Sequence, residues 1–216
     1  MGATSQQNWF SVASFTGAST QGATFGHGLG VAPNMIIAKA RTGAQNWFVY
    51  HSELGYTKSV YLNLTNASAT DNNTWLAEPS SSVITIGDNF SSSNNYIAYC
   101  FANADGLCKV GSYTGNGSSD GTFIYTGFRP AFILTKVTST TNHWGLWDNK
   151  RLGRNPTEHY LIPNLNNAEG NASSTGVDFL SNGFKFRGGS AIGNQSGQSF
   201  IYLAIAEQPF KYANAR

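Results

Sequence analysis

Apolar and polar residues alternate in short stretches along this chain, the period expected of β-strands with one buried face. No stretch carries apolar residues at a sustained helical period, so little helix is expected. The stretches predicted as strands in the first half are 10–16, 35–40, 47–51, 60–64, 83–86 and 96–102. Segments rich in Gly, Asn, Asp, Ser and Thr separate them about every ten residues, which predicts an all-β fold with tight turns.

The same pattern occurs twice. Ser14 to Gly17 returns as Ser112 to Gly115, and Val31 to Lys39 returns as Phe128 to Lys136. Further matched segments are 47–50 with 144–147, 64–67 with 165–168, 84–86 with 184–186, and 96–102 with 200–206. These matches divide the chain into an N-terminal segment, a first β repeat and a second β repeat, at 1–13, 14–107 and 108–216. Residues present in both copies are expected to serve the fold, so function is sought at unmatched residues.

Two copies of six strands predict about twelve strands, the number expected of a concanavalin-like or jelly-roll sandwich of two antiparallel sheets with pseudo-twofold symmetry. Two separate six-stranded barrels are the alternative. A single sandwich is favoured because the join between the copies, residues 102–107, has the length of a turn and not of a flexible linker.

Charged residues make up only 11% of the 216 residues, and the formal net charge is +2. Such a weak, scattered positive charge argues against a nucleic-acid partner. The longest apolar runs fall far short of the roughly 20 residues that a helix needs to cross a bilayer, so no membrane span is expected. Two cysteines, Cys100 and Cys108, are too few for a disulfide framework and are interpreted as thiols, although a bond between them stays open.

Sequence motifs for catalysis or metal binding are not found. A glycosidase needs two carboxylates beside one glycosidic bond, whereas Asp71 and Glu78 are predicted in a loop and cannot share a strand face. The chain has no nucleophile elbow, no zinc-protease motif and no phosphate-binding glycine loop. Its four histidines lack partners at metal-ligand spacing, and a calcium site at Asp71 would need a second carboxylate. We therefore expect a protein without catalytic residues, metal or cofactor, and not an enzyme.

Unmatched rings in polar surroundings are the candidates for ligand binding. Rings on loops stack against sugar faces, and neighbouring Asn and Asp side chains bind sugar hydroxyls. The alternative is that such a ring only anchors its loop to the sheet. The candidate binding residues are Tyr56, Asp71, Asn73, Trp75, His159 and Tyr160.

Several motifs, in the same order, resemble a known family. They are the segments 28–33, 47–51, 61–67, 96–102, 111–117, 127–132 and 209–216. Together they are similar to the C-terminal repeat domain of tail-fibre and other virion structural proteins of tailed bacteriophages, over residues 14 to 216. The resemblance implies a concanavalin-like fold and a place in the virion after synthesis in the cytoplasm of a host bacterium. It supplies no catalytic residues.

The resemblance and the missing carboxylate pair predict a non-enzymatic virion surface protein of the tail-fibre or receptor-binding type. Its partner would be a host surface glycan or another virion protein. A capsid decoration protein or a self-assembling fibre-forming protein is the second hypothesis, and a glycoside hydrolase is the third.

The two ends of the chain carry apolar rings that have no counterpart at the repeat junction. Such rings are normally ordered only when another surface buries them. We therefore predict a homo-oligomer or filament in which Trp9, Phe10, Phe210 and Tyr212 pack against a neighbouring subunit.

Overall fold

Antiparallel β-strands build the chain, which confirms the predicted all-β class. A computed structural model describes residues 8–18 and 20–208. Within these ranges the helical structure is one 3₁₀ turn, Ser173–Thr175. By their internal contacts the residues form two compact units, the first running to residue 59 and including 70–104, the second comprising 60–69 and the chain from 105 onward.

The strands of the first half follow the predicted order with two additions, β2 and β6. They are β1 Phe10–Thr16, β2 Ala23–Gly26, β3 Met35–Ala40, β4 Phe48–His51, β5 Lys58–Tyr61, β6 Ala69–Thr70, β7 Val83–Ile86 and β8 Asn95–Phe101. The main sheet has the order β1-β8-β3-β4, which β5 and β6 continue, and β2 pairs with β7 in a second sheet. Strand β1 pairs with β8 and is an edge strand of the main sheet.

Aromatic rings from both sheets fill the core of the first unit. Phe15 on β1 stacks on Phe25 of β2, with ring centroids 3.9 Å apart. Phe90, in the loop before β8, contacts Phe15, Phe48, Trp75 and Tyr96. Burial of several large rings in one cluster supplies most of the hydrophobic stabilisation of a small sheet unit.

The second half contains nine strands in the part of the chain that the structure describes. They are β9 Cys108–Thr114, β10 Phe123–Tyr125, β11 Pro130–Val137, β12 Trp144–Asp148, β13 His159–Tyr160, β14 Gly170–Asn171, β15 Val177–Leu180, β16 Gly183–Phe186 and β17 Ser199–Ala206. A four-stranded sheet has the order β12-β11-β17-β9, and a three-stranded sheet has the order β10-β16-β15. Strands β13 and β14 form a short pair.

The core of the second unit is one cluster with members from both larger sheets. Trp147 on β12 packs edge to face with Phe186 on β16, and its indole N–H donates to the carbonyl of Thr175 at 3.0 Å. Tyr113 on β9 stacks on Phe200 of β17, with centroids 5.1 Å apart. Because the indole and phenol groups find acceptors, these rings are buried without leaving polar atoms unpaired.

The segment 60–69 is an integral part of the second unit although it lies inside the first repeat in sequence. The indole N–H of Trp144 donates to the carbonyl of Tyr61 at 2.9 Å. The ammonium of Lys136 donates to the carbonyl of Thr65 at 3.2 Å, and the backbone and hydroxyl of Ser68 both donate to the carbonyl of Thr138. This segment therefore satisfies buried polar groups of the second unit.

The matched glycines after the first strand of each copy are required by close backbone approach. A Cβ at Gly17 would lie 2.1 Å from the carbonyl oxygen of Ser91, and a Cβ at Gly115 would lie 2.4 Å from that of Gln195. No other residue fits there without moving the backbone. This explains why the matched motif ends in Gly in both copies.

Both cysteines are buried free thiols, which settles the pairing that the sequence left open. Burial raises the pKa of Cys100 and of Cys108 to about 12. No helix among the described residues is long and apolar enough to cross a membrane.

Candidate functional site

Two loops predicted as a binding surface meet in the first unit. The backbone N–H of Asp71 donates to the carbonyl of Thr57 at 2.9 Å, and the backbone N–H of Tyr56 donates to Oε1 of Glu78 at 3.2 Å. Glu78 also accepts a short hydrogen bond from the hydroxyl of Tyr50. Desolvation, together with this carboxylate, raises the pKa of Tyr50 far above its usual value. The contacts bring the loops together.

Asp71 holds its own loop in shape. Its carboxylate accepts from the backbone N–H of Asn73 at 2.9 Å and from the hydroxyl of Thr74 at 2.6 Å. The amide of Asn89 lies 3.4 Å from Oδ1 of the same carboxylate and donates to the Thr74 hydroxyl at 2.7 Å. Asn73 is exposed, and its side-chain oxygen accepts from Gln21 at 3.4 Å. The oxygens of Asp71 are thus engaged in an Asx-type turn.

Trp75 lies in the core, while Tyr56 lies at the surface. Trp75 is only 1% exposed, and its ring lies between those of Tyr50 and Phe90, at centroid distances of 6.1 and 5.1 Å. Its ring therefore offers no open face to a sugar, and the alternative interpretation, a ring that anchors its loop, describes it. Tyr56 is 37% exposed, so of the two rings Tyr56 and Trp75 it is the one that reaches solvent.

His159 and Tyr160 lie on β13 of the second unit, where charged groups form a network. Nδ1 of His159 lies 2.5 Å from Oε1 of Glu169, and Arg151 bonds the other oxygen of that carboxylate. Arg151 also pairs with Asp148, with an Nε to Oδ2 distance of 2.7 Å. The hydrogen bonds from Arg151 and His159 lower the pKa of Glu169.

Tyr160 closes the short β13-β14 pair. Its ring lies against Gly170, where an added Cβ would come within 2.4 Å of the ring. The same ring packs on the core beside Trp147, with centroids 6.4 Å apart. Tyr160 is therefore half-buried and acts mainly as an anchor for its hairpin.

Two of the predicted assembly residues are Phe10, the first residue of β1, and Trp9, which directly precedes it. The ring of Phe10 contacts Trp9 and Phe101, and it remains 40% exposed. Val12, on the same face of β1, is 52% exposed. Phe210 and Tyr212, the other two candidates, lie outside the described residues.

The structure contains a shallow cleft that the sequence analysis did not single out, at the end of the main sheet of the first unit. Its volume is about 170 Å³, and we name it the sheet-end cleft. It is lined by Ser14, Phe15, Thr16, Arg41, Asn95 and Tyr96. The exposed members Ser14, Thr16, Arg41 and Asn95 supply hydroxyl, guanidinium and amide groups, so this surface can form many hydrogen bonds.

A comparison of the copies could have revealed Arg41. It directly follows β3, and the matched position after β11 is Thr138, so the positive charge occurs in one copy only. An unmatched residue next to a matched strand meets the criterion used above for functional residues.

Groups of three or more His, Cys, Asp or Glu side chains that could hold a metal ion are not found in residues 8–18 and 20–208. The chain belongs to a family described as a domain of unknown function (DUF7483), whose profile matches residues 2–209. No curated protein and no solved structure matches the chain significantly.

Proposed function

We propose that this chain is a non-enzymatic surface protein of a tailed-bacteriophage virion, of the tail-fibre or receptor-binding type, and that it contacts a host surface glycan. The ordered series of motifs that resemble those of tail-fibre and virion structural proteins supports the virion assignment. Another virion protein is the alternative partner. Nucleic acid is disfavoured by the weak, scattered net charge of +2.

The sheet-end cleft is the observation that carries the glycan assignment. Sugars are bound by hydroxyl, amide and charged side chains, and the cleft brings Ser14, Thr16, Arg41 and Asn95 together in one open depression. Tyr56 adds an exposed ring elsewhere in the same unit.

A glycan array probed with the whole chain tests this function, together with a pull-down on envelopes from candidate host bacteria. Selective retention on a subset of bacterial glycans is expected. Absence of binding to every glycan and every envelope would refute the receptor-binding role.

The sequence analysis favoured one sandwich built from both copies; we propose instead a pair of tandem copies of one β-sandwich, of concanavalin-like or jelly-roll type, because each unit has its own sheets. The strand order β1-β8-β3-β4 in the first unit corresponds to β9-β17-β11-β12 in the second, and the pair β2-β7 corresponds to β10-β16. Matching backbone bonds support the same conclusion: Arg41 and Thr138 donate to Asn95 and Ser199, at 2.6 and 2.8 Å. An experimental structure whose two copies fail to superpose strand by strand would refute the duplication.

A capsid decoration or fibre-forming protein is the second candidate, because an edge strand exposes apolar side chains. Phe10 and Val12 project from β1, and exposed apolar edge strands are sites of association between chains. The double variant Phe10→Ser and Val12→Ser should then shift an assembled form toward monomer in light scattering, with Thr16→Ser as the control on the same strand. An unchanged molar mass would place the interface elsewhere.

Location and copy number in the particle separate the two roles. Hundreds of copies on the head would favour decoration, and a few copies on the tail would favour receptor binding. A glycoside hydrolase is the third candidate, and release of reducing sugar from host polysaccharide would revive it.

A further inference from the structure

We propose that the sheet-end cleft binds the carboxylate of an acidic sugar, such as a terminal uronic acid of a surface polysaccharide, and that Arg41 is the residue that selects the charge. This rests on the proposed glycan-binding function and names its site and ligand class.

Three neighbouring strands place the polar groups of the cleft in one row. Thr16 on β1 pairs with Asn95 on β8, and the Thr16 hydroxyl donates to the Asn95 side-chain oxygen at 3.0 Å. The backbone N–H of Arg41, which follows β3, donates to the carbonyl of Asn95 at 2.6 Å. Ser14 lies two residues before Thr16 on the same exposed face of β1. The frame is hydrogen-bonded, so the side chains are presented from fixed backbone positions.

The guanidinium of Arg41 is an exposed cation without a counter-ion. Among the described residues no carboxylate lies within 4.0 Å of Arg41 or of Arg154, whereas the arginines at 129, 151 and 187 pair with carboxylates. A guanidinium presents parallel N–H donors that match a carboxylate bidentately. The free Arg41 therefore has an unused capacity for an anionic ligand.

The second copy indicates that the fold does not need this arginine. Thr138 at the matched position makes the same backbone bond to Ser199, and its hydroxyl donates to the same carbonyl at 3.2 Å, so the side chain is satisfied within its own unit. The backbone N–H of Asn95 donates to the hydroxyl of Thr42 at 2.9 Å, and that of Ser199 donates to the hydroxyl of Ser139 at 2.9 Å. The frame is thus retained and only the cation differs.

The size and openness of the cleft favour one sugar ring at the end or branch of a chain. A volume of about 170 Å³ suits a single ring and not an extended oligosaccharide. With the carboxylate on Arg41, hydroxyls of the ring can exchange hydrogen bonds with Ser14, Thr16 and Asn95. A neutral sugar would keep the hydrogen bonds from its hydroxyls but would lose the contact between a carboxylate and Arg41.

The test measures binding of methyl β-glucuronide and methyl β-glucoside to the whole chain by NMR chemical-shift titration. The glucuronide should bind at least about tenfold more tightly, since a hydrogen-bonded charge pair typically contributes a factor of about ten to one hundred. Arg41→Gln should remove this preference and bring glucuronide binding to the level of the glucoside. Arg154→Gln is the matched control: it removes the same charge from another exposed arginine and should leave the preference intact.

Equal affinity of wild type for the two sugars, or an unchanged preference in Arg41→Gln, would overturn the proposal. Loss of the preference in Arg154→Gln as well would also overturn it, because a general charge effect would then suffice. Tighter binding of glucose 6-phosphate than of the glucuronide would refute the carboxylate as the ligand group. If wild type and Arg41→Gln bind host envelopes equally well, this site fails while the receptor-binding function stands; if wild type binds none, the function itself fails.

Discussion

Lys136 offers a quantitative test of how the second unit tolerates a buried charge. Its side chain is fully buried on β11, and its ammonium donates to the carbonyls of Thr65, Val137 and Asn142, at 3.2, 2.8 and 2.9 Å. These acceptors are neutral, so they offset only part of the desolvation. Burial accordingly lowers the pKa of Lys136 to about 8, from 10.5.

The lowered pKa makes stability depend on pH in a defined window. Below pH 8 the lysine is protonated in both states, and it adds no pH dependence. Between pH 8 and 10.5 the unfolded chain keeps a proton that the folded chain releases, so the free energy of unfolding rises with pH. The slope approaches about 1.4 kcal/mol per pH unit, which gives about 1.5 kcal/mol between pH 8 and 9.5.

Urea unfolding of wild type and of Lys136→Met at steps from pH 7 to 9.5 measures this contribution. Other groups cancel in the difference between the two proteins, including the buried thiols, which act in the opposite direction as the unfolded chain ionises. The stability of wild type relative to Lys136→Met should rise by about 1.5 kcal/mol from pH 8 to 9.5. Ile133→Val, a core change on the same strand without an ionisable group, should show a constant difference from wild type.

A constant difference between wild type and Lys136→Met would refute the reasoning. The lysine would then remain protonated in the folded protein up to pH 9.5, and the three carbonyls would outweigh desolvation. Between pH 7 and 8, where the lysine is mostly protonated in both states, the difference between the two proteins should change little.

Two further outcomes are expected from the core. Cys100 and Cys108 should resist alkylation by iodoacetamide in the native protein at pH 8 and react within minutes in denaturant, because both are buried with a raised pKa. Modification of either thiol in the native protein at the denatured rate would contradict their placement. Gly145→Ala should cost about 1 to 3 kcal/mol of stability in urea unfolding, since its Cβ would lie 2.4 Å from the buried ring of Trp147. Gly26→Ala is the control and should cost less than about 1 kcal/mol, because the nearest atom to its Cβ would lie at 3.7 Å. Equal losses would show that the ring of Trp147 moves to make room for the new methyl group.

The strands could be predicted where the pattern along the chain is itself sufficient. The predicted strand 35–40 agrees with Met35–Ala40, and 96–102 agrees within one residue with Asn95–Phe101. Strand β2 escaped prediction because its four residues contain one large apolar side chain, Phe25, and it is stabilised by pairing with the distant β7. Local sequence cannot report a partner that lies sixty residues away in the chain.

The candidate site was harder to predict because burial of a loop ring is decided by tertiary packing. Trp75 has polar neighbours in sequence, yet Tyr50 and Phe90 enclose it. Arg41 could have been found from the sequence, since its match in the second copy is uncharged. Its lack of a carboxylate partner depends on which strands adjoin β3, and that requires the structure.

The assignment of residues 60–69 to the second unit has a consequence for how the chain is made. These residues leave the ribosome well before the strands from 105 onward. The carbonyls of Tyr61 and Thr65 can therefore accept their hydrogen bonds only after Trp144 and Lys136 have been synthesised. The later half of the gene therefore does not encode every acceptor that the buried polar groups of the second unit use. A fragment beginning at residue 105 would lack the acceptor of a buried indole and one of the three acceptors of a buried ammonium, so cutting the chain at the boundary of its sequence repeats should not yield two self-sufficient domains.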